Sequence, residues 1–182
     1  MKLTHRTTSR SQRGVSMVES LVCLAITAGG LGATLPGFEK LRTQRHFDGA
    51  AAQLETDIHY TRSLAVARNH SLRMSFHTDT EGSCYVVHTG ARDDCTCAAD
   101  GSATCTDGAV PLRSVRFDQG NTLQLSVNVG SILFDPLKGT STPTGTLRLV
   151  ASDDRAVHLV VNLMGRVRTC SPDKTVPGYR AC

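Results

Sequence analysis

The clearest pattern in the chain is a stripe. Phe47, Ala51, Leu54, Ile58, Thr61 and Ala65 fall at i, i+4, i+7, i+11, i+14 and i+18, with charged residues between them. This is the spacing of one face of an amphipathic α-helix. The period runs through "FEKLRTQRHFDGAAAQLETDIHYTRSLAVARNH", and Asn69 is a natural stop signal. Upstream the pattern changes. Val15 to Leu35 is a nearly continuous apolar run of 21 residues, long enough as a helix to cross a hydrocarbon core of ~30 Å. Gly29, Gly30, Gly32 and Pro36 weaken its outer end, at about 1 kcal/mol per Gly and about 3 for Pro. The pattern predicts one long helix with a membrane half over 15–36, built to bend or melt near its end, and an amphipathic half over 37–70.

From residue 71 the period drops towards two. "SLRMSFH", "SCYVVHT", "SVRF", "TLQLSVNV", "SILF", "TLRLVA", "AVHLVVN" and "GRVRT" alternate or carry β-branched residues. Turn signals such as "TDTEGS", "DQGN", "DPLKGTSTPTG" and "SDDR" separate them. "TLRLVASDDRAVHLVVN" reads as a hairpin, which makes SDDR a turn and not a calcium loop. "TGARDDCTCAADGSATCTDGAVP" reads as a long irregular insertion. The fold class is therefore α+β: a long N-terminal helix packed on antiparallel β-sheet, with a β-rich domain over 71–182 and disulfide-stapled loops.

Composition narrows the function. Aromatics make up 4% of the 182 residues and Trp is absent, which favours a scaffold over an enzyme with an aromatic pocket. The net charge of +4 equals the charge of Lys2, Arg6, Arg10 and Arg13, so basic and acidic residues balance from Val15 onward. The tail "GRVRTCSPDKTVPGYRAC" is a local exception, with Arg166, Arg168, Lys174 and Arg180 against Asp173 alone. Arg166 and Arg168 alternate on a strand and share a face. Two guanidiniums there, with Lys174, Arg180 and Tyr179 in a nearby loop, can grip a phosphate backbone. The structural alternative is a sheet edge blunted by charge.

Seven cysteines are many for a cytosolic chain of this length. Cys23 lies in the apolar run, and the other six sit in polar, Gly-rich surroundings that suggest an oxidising compartment. Cys170 and Cys182 flank the tail, and Pro172, Pro177 and Gly178 favour a turned path between them. A bond closing this loop would stabilise the fold by about 3 kcal/mol in the chain-entropy model. The pairing of Cys84, Cys95, Cys97 and Cys105 stays open. "CTCAADGSATC" lacks the second Cys or His pair of a zinc site. His46, His59, His70, His77, His88 and His158 are scattered, with no metal-binding or catalytic spacing. No catalytic residue, metal or cofactor is expected.

One residue in the apolar run needs a reason. Glu19 is a carboxylate in a membrane-length segment, which costs about 2.5–3.5 kcal/mol at a helix centre. An ordinary secretory signal peptide has no use for it. The basic leader, Gly14, and an apolar helix with Glu as its fifth residue resemble the type IV prepilin motif. The resemblance implies cleavage between Gly14 and Val15 by a prepilin peptidase on the cytoplasmic side. Val15 becomes the new N-terminus, usually methylated, although the family usually has Phe there. It also implies that Glu19 pairs with the N-terminal amine of a neighbouring subunit during filament assembly. The basic leader keeps the N-terminus cytoplasmic, which implies a single-pass protein of the bacterial inner membrane with a periplasmic C-terminal domain.

The stretches "LETDIHYTRSLAVARNHSLRMSF" and "HLVVNLMGRVRTC" resemble the GspH/FimT family of minor pilins and pseudopilins. In FimT-type members, which serve DNA uptake, a GRxR motif binds DNA, and Gly165, Arg166 and Arg168 match it. The resemblance thus implies a structural minor pilin with other pilin or pseudopilin subunits as partners, and with double-stranded DNA bound through its tail without sequence preference. The alternative it implies is the minor pseudopilin H of a type II secretion system, acting in protein secretion without DNA. A secreted disulfide-rich enzyme is the competing reading from another class. The motif predicts that Gly14→Ala leaves the leader attached, while Glu19→Ala is still cleaved but absent from filaments. Mass measurement of the mature chain and immunoblots of sheared filaments check both outcomes, and normal assembly of Glu19→Ala refutes the pairing.

Overall fold

The computed structural model of the protein describes residues 16–118, 123–173 and 176–182. Helix α1 spans Met17–Arg68 and stays helical through Gly29, Gly30 and Pro36, so the expected melting near its outer end does not occur. Both ends are defined by local chemistry. The Glu19 backbone N–H donates to Ser16 Oγ at 3.3 Å, an N-cap with an acid in the first turn. At the other end Asn69 takes a φ of 48°. There the N–H of His70 donates to the Ala65 carbonyl at 3.1 Å and that of Asn69 to Val66 at 3.2 Å, which closes a Schellman motif.

The chain divides into two compact units, one ending at Arg42 and one running from Thr43 to Cys182. In the first unit Met17, Leu21, Leu24 and Ile26 are exposed. Among the described residues no helix is long and apolar enough to cross a membrane. Glycines, hydroxyl residues and Glu19 dilute the apolar run.

Among the described residues the second unit carries the last part of α1 and twelve strands. These are β1 (Leu72–Asp79), β2 (Gly82–His88), β3 (Cys95–Cys97), β4 (Ala103–Cys105), β5 (Pro111–Asp118), β6 (Leu123–Val127), β7 (Ser131–Phe134), β8 (Ser141–Thr142), β9 (Gly145–Ala151), β10 (Ala156–Val161), β11 (Val167–Ser171) and β12 (Arg180–Ala181). One five-stranded sheet runs β5-β2-β1-β7-β8, and a second runs β12-β11-β10-β9-β6. Their pairings are antiparallel except β11 with β12. The hairpin read from the sequence is β9–β10.

Packing follows the stripe. All six of its residues are buried. The five apolar ones share one core with Leu72, Met74, Tyr85 and Phe134 of the first sheet and Leu147, Leu149, Leu159 and Val161 of the second. Strand β2 is buried at every position, on both faces. One face meets the core. The insertion between β2 and β5 is held to the first sheet by the Cys84–Cys97 disulfide and by the Ser75 hydroxyl, which donates to the Arg92 carbonyl at 2.9 Å. Within it β3 and β4 form a small hairpin bridged by Cys95–Cys105, so the insertion is less irregular than its sequence suggests. These pairings resolve the four cysteines left open above.

One charge sits at the seam between helix and sheet. Asp57 is 2% exposed. It accepts a hydrogen bond from the Tyr85 hydroxyl at 2.5 Å and pairs with Arg113 Nε of β5 at 2.9 Å. Burial first, and the Asp57 carboxylate second, push the Tyr85 phenol well above its ordinary range. The native state thus holds the phenolic proton more tightly than the unfolded chain does. The stability from this pair is fully present below about pH 10 and is lost as pH rises beyond it. In an absorbance titration the Tyr85 share of the phenolate signal is expected only as the protein unfolds, and Tyr85→Phe removes that late step. An unchanged titration in Tyr85→Phe contradicts this account.

Candidate nucleic-acid interface

The tail arginines are placed by a tight turn and a short strand. The Gly165 N–H donates to the Asn162 carbonyl at 2.9 Å, and the Asn162 N–H returns to the Arg166 carbonyl at 3.1 Å. Asn162 Oδ1 also accepts the Arg166 N–H at 3.0 Å. Gly165 has φ 68°, a region that costs an L-residue about 1–2 kcal/mol. A Cβ there would lie 2.6 Å from Arg62 Cδ and 3.2 Å from the Gly139 carbonyl. Arg62 Nε donates to that same carbonyl at 2.7 Å. The glycine is therefore required for packing against the helix.

From this turn the strand alternates. β11 begins at Val167, so Arg166 ends the turn and does not lie on the strand as its sequence suggests; Val167 packs in the core, while Arg166 and Arg168 are exposed on either side of it. Register then brings in the end of the chain. Cys170 lies opposite His158 on β10 and opposite Arg180 on β12, and Cys170 is bonded to Cys182. Arg166, Arg168 and Arg180, with Val160 and Cys182, line one open groove of about 710 Å³. The structure thus gathers three of the tail's cations. Lys174, Gly14 and Val15 lie outside the described residues. Tyr179 is not part of the groove. It packs on the core, and burial, followed by Asp48 and Glu55, raises its phenol pKa.

Several other arginines are held by carboxylates. Arg116 is held by Asp79, Glu81 and Asp118, Arg113 by Asp57, Arg155 by Asp153, and Arg92 lies beside Asp93. Among the described residues no side-chain hydrogen bond or ion pair engages Arg166, Arg168 or Arg180. Mutual repulsion of solvated cations is small, about 0.4 kcal/mol for a pair ~10 Å apart in water. The cluster is cheap to keep and remains available to an anion. A second cleft, of about 440 Å³, is lined by Arg45, His46 and Phe117, but its Arg116 is already neutralised. Among the described residues no group of His, Cys, Asp and Glu could hold a metal ion.

Of the other expected site residues, Glu19 is exposed and lies in the first turn of α1. The cap uses its backbone N–H, which almost any residue there would supply, so the carboxylate itself is not spent on the cap. What sequence reasoning missed was the seam at Asp57. Its position three residues after Leu54 and four before Thr61 was the available signal.

Comparison with known proteins agrees with this architecture. The type IV minor pilin FimU of Pseudomonas aeruginosa has a similar fold, with a TM-score of 0.51 at 22% identity over 74% of this chain and 95% of that one. The minor pseudopilin EpsH from the Type 2 Secretion System of Vibrio cholerae gives a TM-score of 0.48 at 13% identity, over 70% of this chain and 98% of that one. No curated protein sequence matches the chain. A family model described as Type II transport protein GspH matches residues 50–165, from within α1 to the glycine that precedes the arginines. That match covers well over half of the sequence, and with its pilin-like α+β fold the chain belongs to the GspH family.

Proposed function

We propose that the protein is a minor pilin of a type IV filament that binds double-stranded DNA through Arg166, Arg168 and Arg180, with Lys174 as a further contact. The observation that carries the reading is the groove lined by three arginines that have no carboxylate partner among the described residues. Phosphate contacts of this kind fix position without reading sequence. In this reading a prepilin peptidase cleaves between Gly14 and Val15. The helix then sits in the bacterial inner membrane, N-terminus cytoplasmic and the C-terminal domain periplasmic. Its exposed apolar side chains are covered by lipid first and by other pilin subunits after assembly. Modest apolarity suits a segment that must leave lipid for a filament. Glu19 pairs with a neighbour's N-terminal amine there. Glu19→Gln leaves the backbone cap in place and removes only the charge, so it tests the pairing alone.

A second reading has its own support. The matching family is described as a type II transport protein, and a pseudopilin of a secretion system needs the same fold and helix. DNA binding is what distinguishes the two. The full chain in non-ionic detergent, wild type against the double variant Arg166→Gln/Arg168→Gln, is titrated with labelled duplex at several salt concentrations. With about three or four phosphates neutralised, log affinity falls with log salt at a slope near −3, and the double variant loses about two units of that slope. Binding that is equal in both proteins, or absent from both, rejects the DNA reading and leaves the secretion pseudopilin.

A further inference from the structure

The tail is only part of a larger cationic surface. Strand register places Ser126, Arg148, His158, Cys170 and Arg180 in one row across all five strands of the second sheet. The next row sets Thr146, Val160 and Arg168 side by side. The inner residues of the same strands, Leu147, Leu149 and Leu159 among them, are buried in the core. Alternation therefore puts Arg148 on the outward face with Arg168 and Arg180, and Arg148 is exposed. The electrostatics agree, because the Arg148 charge is felt at His158 and, after burial, is the second cause that holds its imidazole pKa below the ordinary value.

Two contrasts make this face unusual in the molecule. Strands β6, β9, β10, β11 and β12 contain no Asp or Glu, whereas the first sheet pairs Arg116 and Arg113 with carboxylates. Asp173, beyond β11, is the carboxylate whose field reaches the row at His158. Among the described residues no ion pair or side-chain hydrogen bond engages Arg148, and His158 Nε2 is buried without a partner. Nor do these strands contain Phe, Tyr or Trp, so apart from the half-buried His158 ring the face offers no platform on which unpaired bases could stack.

We infer that Arg148 is a phosphate contact of the same site, and that the duplex lies across the outward face of the second sheet and not along the tail alone. From β9 to β12 is three strand spacings, about 14 Å at ~4.8 Å each. This is comparable to the ~12 Å width of a major groove, so phosphates on the two sides of the groove fall within the span of one sheet face. The inference rests on the DNA-binding reading above and extends it to a residue on another hairpin, inside the family-matched region.

The experiment is the same titration of the full chain in detergent with labelled duplex, with three more variants. Arg148→Gln removes the charge, Arg148→Lys keeps it, and Arg45→Gln removes an exposed charge from the cleft beside β5. Arg148→Gln is expected to weaken binding roughly fivefold at low salt and to reduce the salt slope by about one. Arg148→Lys is expected to retain most of the affinity, Arg45→Gln to bind as wild type, and all three to melt like wild type. If Arg148→Gln binds as wild type while the Arg166→Gln/Arg168→Gln variant is weakened, the site is confined to the tail; this inference then falls and the DNA reading stands. Equal losses in Arg148→Gln and Arg45→Gln mean that only net charge matters, which also overturns it. No binding by wild type overturns both.

Discussion

Asp57 is a carboxylate held almost entirely out of water on the flank of an apolar helical stripe, and that position is tolerable only with partners. It has two: the Tyr85 hydroxyl from β2 and the Arg113 guanidinium from β5. Apolar packing alone would let a helix slide or roll on a sheet at modest cost. A buried anion with directional partners does not allow that, because a shift of one residue leaves the charge unpaired. Breaking a buried pair costs about 3–5 kcal/mol, and less where one partner, as Arg113 does here, keeps contact with solvent. The stripe from Phe47 to Ala65 then closes over both sheets in a single register.

That register fixes the far edge of the molecule as well. Arg62 lies on α1 five residues after Asp57, and it holds the Gly139 carbonyl against which Gly165 packs. Glu55, two residues before Asp57, accepts a hydrogen bond from the Thr169 hydroxyl at 2.8 Å and so ties β11 to the same helix. The strand that carries Arg168, and the turn before it that carries Arg166, are thus positioned by side chains of the helix. The Cys170–Cys182 bond then draws Arg180 alongside. The result is a rigid sheet whose inner face is core and whose outer face collects cations.

Much of this was legible in the chain. The stripe could be read because a helix of period 3.6 repeats its buried face, and all six residues read from it are buried. Asn69 was readable because a left-handed cap tolerates Asn. The longer strands could be read from alternation. The short ones, β3, β4, β8 and β12, could not, since two or three residues carry no period and are held by disulfides and neighbouring loops. Asp57 looked like one more charge between stripe positions, because sequence spacing does not say which flank of a helix is covered. Arg166 and Arg168 were visible as a same-face pair. Arg148 was not, because its nearness to them depends on the strand order β11-β10-β9, which local pattern does not encode.

The central claim is that the outward face of the second sheet, and not the rest of the surface, meets the nucleic acid. The direct measurement is hydrogen–deuterium exchange of the full chain in detergent with and without duplex. The account predicts slowed exchange at the outward-facing segments of β9, β11 and β12, with β1, β5 and the β3–β4 hairpin unchanged. Protection centred on the first sheet or on the cleft beside Arg45, with none on the second sheet, would contradict it.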